Sequence, residues 1–168
     1  FSGRNDFSDV VYVTGNPHVS QEKFESLTGE SFSSFESVFE TFRDAPAPVP
    51  PEQVKKDART SEKLFPDSRK VVHFMQPHAP FIGSDLEVDY KQYSWGEAEV
   101  GEVRRAYSDN LEYILGHALE LADELSGRTV ISADHGELLG ENGLFKHYYG
   151  LDCGPLRKVP WDVVAERD

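Results

Sequence analysis

The chain has one cysteine and one methionine, and no apolar run approaches the roughly 20 residues of a membrane span. A single thiol, Cys153, excludes an internal disulfide and is compatible with a reducing compartment. No secretory signal is visible, so a cytoplasmic location is the expectation. The chain begins with Phe1 and not Met, so the expectation includes a missing amino terminus. Positive charge is also scarce: 17 Lys plus Arg stand against 30 Asp plus Glu, a formal net of −13. Such a field repels phosphate backbones and anionic membrane surfaces, which excludes general nucleic-acid or membrane binding. A polyanionic substrate would need a local metal or basic group to hold it. The acidic excess is spread along the chain, a pattern expected of adaptation to high salt, where screening acts within about 3 Å at 1 M.

What is present is a globular composition, 38% apolar and 12% aromatic over 168 residues. That length most simply makes one domain, able to bury about 70% of its unfolded surface. Phe7 to Val13 is a β-branched and aromatic run that predicts a central strand ending in a loop. His18, just beyond, reads first as a loop residue without a role. Phe32, Phe35, Phe39 and Phe42 fall at a helical spacing and predict an aromatic core stripe, against the low helix propensity of the residues between them. Ala45 to Pro51 is a stiff connector, and Pro51 suits the first turn of a helix through about Lys63. Arg69 to Met75 predicts a second strand, with His73 read as packing. Ile82 to Gly101 lacks a period and reads as a surface loop forming one wall of a cleft.

Glu102 to Ser126 carries the clearest helical periodicity, with Val103, Ala106, Tyr107, Leu111 and Ile114 opening its apolar face. Gly127 stops it, and a buried strand over Thr129 to Ala133 follows, so the pair reads as an αβ half-unit of a parallel sheet. Lys158 to Val164 reads as a further short strand. The strand before Asp134-His135-Gly136 sets a carboxylate beside an imidazole, where open α/β sheets place their sites. Both are ligand types for a divalent metal, and Gly136 permits a sharp turn beside a bound group. The competing reading is a strand end with an Asp-started turn. His147 follows beyond the glycine-rich loop 140–143. His78 is set in Pro77-His78-Ala79-Pro80-Phe81, where two prolines hold an extended loop and aim the imidazole.

Three strand ends, bearing His18, His78 and Asp134-His135, are thus expected to leave one sheet edge. In this order, the loop PHAPF and the run SADHGELLGENG resemble the sulfatase branch of the alkaline phosphatase superfamily. The resemblance covers most of the chain from about residue 10 and corresponds to the carboxyl-proximal half of that catalytic domain. It implies an α/β fold: part of an alkaline-phosphatase-like three-layer sandwich, mostly parallel sheet with flanking helices. It implies that Asp134 and His135 bind a divalent metal (calcium, zinc or manganese). It implies that His78 binds or protonates the ester, and that His147 or its neighbour Lys146 faces metal and anion. The activity implied is metal-dependent hydrolysis of a sulfuric or phosphoric ester, its substrate a small ester that includes one carried on a glycan. A transferase using the same site, a phosphoglycerol-type phosphotransferase and a truncated, non-catalytic sulfatase-like binding domain are the alternatives.

The family's nucleophile and early carboxylates come from an amino-terminal half that this chain does not contain, so catalysis by these 168 residues alone is not expected. Cys153-Gly154-Pro155-Leu156-Arg157 matches the bare Cys-x-Pro-x-Arg pattern of formylglycine conversion. It lies after the late metal ligands and lacks the usual Ser, so it reads as a loop with Cys153 a small packed residue.

Overall fold

The computed structural model describes residues 6–42, 44, 48–86 and 99–167, and the chain forms two compact units, Phe1–Met75 and Gln76–Asp168. The secondary structure is mixed α/β.

In the first unit, strand β1 (Val10–Thr14) is followed by α1 (Gln21–Thr28), β2 (Ser34–Ser37), α2 (Val38–Phe42), α3 (Pro51–Leu64) and β3 (Arg69–His73). The three strands form one parallel sheet in the order β2-β1-β3, so β1 is central, as its apolar run predicts. Alternation along β1 sends its side chains to two separate cores. Val11 and Val13 pack with Val38, Val49 and Val54, the last from α3. Val10 packs with Phe7 and Phe32, joined by Tyr12, Phe24 and Phe35. The rings of Phe24 and Phe32 stack with centroids 4.1 Å apart.

The single aromatic helix stripe does not form. Phe32 precedes β2, Phe35 lies within it, and only Phe39 and Phe42 are in α2. Ring packing and parallel pairing with β1 outweigh the helical spacing of the phenylalanines, because the serines between them favour helix weakly. Helix α3 begins at Pro51 as expected, and Val54, Ala58 and Ser61 form its buried face. Part of the expected connector, residues 45–47, and most of the expected surface loop, residues 87–98, lie outside the described residues.

The second unit begins with the loop carrying His78 and continues through α4 (Val100–Ala122), β4 (Gly127–Ser132), β5 (Leu138–Glu141), β6 (Leu144–Lys146), α5 (Gly154–Arg157) and β7 (Trp161–Arg167). Helix α4 opens with a capping box between Glu99 and Glu102, which satisfies amide groups of the first turn. Its buried stripe is Val103, Ala106, Asn110, Ile114 and Leu121, the helical period with one polar member. Val103 and Ala106 pack on Ala79 and Phe81, with Leu139 and Phe145 beside them. Arg104 then ties the helix to the β5–β6 hairpin, its Nε donating to the Leu139 carbonyl at 2.8 Å. Gly140, at φ 105, lies against Val100, where an added Cβ would sit 2.6 Å from the valine side chain.

Strand β4 corrects two expectations. It is only half-buried, and it pairs antiparallel with β7 rather than in a parallel sheet. The chain returns to β4 through loops and the β5–β6 hairpin, and antiparallel pairing needs no crossover helix. Among the described residues two of the four strand pairings are parallel, so the sheet is not mostly parallel, and the three expected site-bearing strand ends do not leave one sheet. The glycine-rich loop is likewise the β5–β6 hairpin. Among the described residues no helix is long and apolar enough to cross a membrane.

Candidate metal and anion site

Within the second unit three side chains converge. His78, Glu137 and His147 each offer a ligand atom, and these atoms lie within 4.8 Å of one another. They come from the PHAPF loop, from the turn entering β5, and from the residue after β6. Two imidazoles and a carboxylate form a recognised donor set for zinc. All three are half-buried.

The loop before α4 does not run extended. Residues 76–80 form turns and bends, and both prolyl peptide bonds are cis. Its position is set by Asn110, which is 1% exposed. The Asn110 amide donates to the Pro77 carbonyl at 3.2 Å, and its oxygen accepts from the Ile82 amide at 3.4 Å. One buried side chain thus spans the loop on both sides of His78.

Tautomers follow from local partners. His78 Nδ1 donates to the Ala79 carbonyl at 2.5 Å and His135 Nδ1 donates to the Gly136 carbonyl at 2.8 Å. A carbonyl can only accept, so each ring carries its proton on Nδ1 and presents Nε2 as the lone-pair atom. His147 Nδ1 faces the Glu137 carboxylate at 3.2 Å. The ring of His147 sits between the other two, with centroids 5.3 Å from His78 and 4.1 Å from His135.

Burial dominates the charge state. It pushes the His78 imidazole below the ordinary histidine range, against the Ala79 hydrogen bond and the Glu137 charge, with His147 and His135 pushing it lower still. Burial also pushes the Glu137 carboxyl up, opposed by His78, His135 and Lys146. Tyr107, on α4, is raised by burial and then by Glu137. At neutral pH His78 is therefore a neutral donor atom ready for a cation.

The residues expected from the sequence are distributed as follows. His78 and His147 are in the cluster. Lys146 lines the small crevice beside His78 and Glu137, is 7% exposed, and takes the left-handed backbone at φ 68. Asp134 and His135 lie alongside, with His135 Nε2 3.8 Å from Asp134 Oδ1, and the Asp134 side chain is 61% exposed. His18 belongs to the first unit, is exposed, and its amide donates to the Asn16 side chain. His73 shares a 3.0 Å hydrogen bond with the Tyr12 hydroxyl, in keeping with a packing role.

Two residues were not legible as site members. Glu137 has no periodic or spacing signal beyond following Asp134-His135-Gly136 directly. Asn110 does have one: it is a polar residue at the core phase of an amphipathic helix. Gly136 is required for a different reason from the one expected. Its φ is not positive; instead an added Cβ would lie 1.9 Å from the Pro155 carbonyl oxygen. The Gly136 amide also donates to the Leu156 carbonyl at 2.9 Å, binding α5 to the strand end. Cys153 is the residue preceding α5, half-buried.

No protein-family model matches the chain, and no solved structure matches it. Among curated proteins, the chain is similar to the low-salt glycan biosynthesis sulfotransferase Agl7 of Haloferax volcanii, with 28% identity over 106 residues. The match covers 57% of this chain and 26% of that protein, so the chain spans about a quarter of the length of the curated relative it matches. That relative's name is one of sulfate transfer, whereas the family resemblance implies hydrolysis first, with transfer at the same site beside it.

Proposed function

We propose that this chain forms the metal- and leaving-group side of a sulfatase-like site that acts on a sulfate ester, passing the sulfuryl group to an acceptor hydroxyl. The observation that carries the reading is the convergence of His78, Glu137 and His147 within 4.8 Å. The similarity to a sulfotransferase supports sulfate chemistry, and favours transfer over the hydrolysis that the motifs imply. In this reading the three donors hold a divalent ion, with Asp134 and His135 as the adjacent pair that the resemblance also assigns to it. When bound, the ion offsets the ester's negative charge and polarises its oxygen. The chain's own groups do the rest. Lys146 places its ammonium stem in the crevice beside Glu137 and balances anionic charge there. The Glu137 carboxylate accepts from His147 Nδ1 and so would leave Nε2 of that ring as the atom offered to the ion. His78, fixed by Ala79 and by the loop that Asn110 spans, sets the ester against the cluster. The wider reading, an alkaline-phosphatase-like fold, belongs to the same proposal.

The test is calorimetric titration of zinc and of manganese into the wild-type chain, Glu137→Gln and His147→Ala. Each substitution is expected to weaken binding by about tenfold or more. Protein expressed from the complete gene is then assayed for metal-dependent release of nitrophenol from para-nitrophenyl sulfate, with and without an added sugar acceptor. A wild-type chain that binds neither ion would sink the metal reading. Equal turnover of the phosphate analogue would replace sulfate with phosphate as the group transferred.

A further inference from the structure

The donor atoms of the candidate site come from two pieces of chain, and helix α4 holds both. The loop of His78 is tied to Asn110. The other piece is the β5–β6 hairpin, with Glu137 just before it and His147 just after it. Strands of four and three residues are too short to be stable as an isolated hairpin. The pairing register also breaks between Leu139 and Glu141, which loosens the ladder close to Glu137. At that break Arg104 Nε donates to the Leu139 carbonyl at 2.8 Å, and Nη2 lies 3.5 Å from Glu141 Oε1. Glu141 Oε2 in turn accepts from the Leu139 amide at 2.6 Å. We propose that Arg104, acting through Leu139 and Glu141, is a positioning residue that sets Glu137 and His147 against His78. The proposal rests on the metal reading above for the identity of the ligand atoms, and adds what brings them to one point.

Apolar contact alone leaves the position of the hairpin on the helix open. Leu139 and Phe145 pack beside Val103 and Ala106, but that attraction has no direction and survives a small slide along the helix. A guanidinium is planar and rigid, so its hydrogen bond fixes direction as well as distance. Gly140 makes the approach close enough, since the Val100 side chain fills the space that a Cβ would take. The Glu141 carboxyl is held below the usual carboxylate range, first by the Leu139 amide and its own amide and last by Arg104, so it is an ionised acceptor. Arg104 and Asn110 are separated by about 9 Å of helix rise, and that fixed span sets one piece of chain against the other. The Arg104 and Glu141 side chains are 54% and 39% exposed, so their ion pair adds little to stability. Loss of Arg104 should therefore displace the hairpin rather than unfold the chain.

The test compares the intact chain with Arg104→Ala, Arg104→Lys and, as a control, Arg167→Ala. Arg167 pairs with Asp123 at the other end of α4, also on the surface, at 2.6 Å. The first readout needs no metal. It is the nuclear Overhauser cross peak between the imidazole protons of His78 and His147, whose ring centroids are 5.3 Å apart. Cross-peak intensity falls with the sixth power of distance, so a site loosened by about 1 Å loses about threefold. The second readout is cobalt titration followed by visible absorption, whose intensity reports coordination geometry. Arg104→Ala is expected to show the threefold loss and to bind cobalt about tenfold more weakly, at a urea midpoint close to that of the wild type. Arg104→Lys keeps a cation and a donor for the Leu139 carbonyl, and should keep most of both signals. Arg167→Ala should keep them in full. Circular dichroism checks that each variant folds. An unchanged cross peak in Arg104→Ala overturns the positioning role. Equal weakening in Arg167→Ala overturns it too, because the effect would then belong to the stability of α4. A wild type with the cross peak but no cobalt spectrum sinks the metal reading alone, and the cross peaks of the variants still decide the role of Arg104.

Discussion

Each of the two units has its own kind of interior. In Phe1–Met75, both faces of a parallel sheet are sealed by apolar and aromatic side chains, and Val11 and Val13 are wholly buried. In Gln76–Asp168, the apolar cluster around Val103 and Phe81 is interrupted by buried polar groups, Gln76, Asn110 and Lys146 among them. Apolar packing tolerates small shifts of one side chain against another. A hydrogen-bonded turn does not, because a displaced partner leaves a buried donor or acceptor unsatisfied. The second unit therefore concentrates its geometric precision where the ligand atoms meet.

A matched pair of glycine substitutions breaks the comparison most directly. Gly136→Ala drives a Cβ into the Pro155 carbonyl at 1.9 Å, and a backbone atom cannot rotate away. A loss of about 3 kcal/mol is expected by urea unfolding, with zinc affinity lost in parallel. In Gly15→Ala the new Cβ meets Val54 Cγ2 at 3.3 Å, a side-chain atom with room to give. About 1 kcal/mol is expected there, with zinc affinity unchanged. Equal losses at the two positions would remove the contrast.

Asn110→Ala is the next in size. It strands the Pro77 carbonyl and the Ile82 amide at the two sides of His78. The expected cost is about 2 kcal/mol, and metal binding weakens although Asn110 touches none of the ligand atoms. If stability falls and metal affinity is untouched, Asn110 supports the fold and does not position His78.

The smallest effect is in pH. His78 is pushed below the ordinary imidazole value, so between its folded pKa and about 6.5 the unfolded chain binds the extra proton and the folded chain does not. The His78 contribution to stability is therefore complete above that ordinary value and is lost as pH falls through the folded pKa. NMR titration of the imidazole should place its midpoint below the ordinary histidine value of about 6.5. Glu137→Gln should lower the midpoint further, because the Glu137 charge raises it. A midpoint at or above that ordinary value would contradict burial as the main cause.

Much of the local structure was legible because its signals lie within a helical turn or a strand repeat. The apolar run of β1, Pro51 at the start of α3 and the stripe of α4 needed only neighbours a few residues apart. His78 and His147 were legible as residue types set beside proline and glycine. The aromatic stretch failed for the same reason that the others succeeded. Its helical spacing was real, but Phe32 and Phe35 found ring partners in Phe24 and Tyr12 instead.

By itself the sequence determined that the chain is acidic, mixed α/β and equipped with His and Asp at loop positions. Those properties follow from composition and short-range order. Only the tertiary structure decided that β4 pairs antiparallel with β7, that Gly136 yields space to Pro155, and that Glu137 is the carboxylate beside His78 and His147. Each depends on segments apart in the chain meeting: β4 with β7, Gly136 with Pro155, and the loop of His78, held by Asn110, with the ends of the β5–β6 hairpin. No periodicity along the chain encodes such a meeting, because it is set by which surfaces exclude water together.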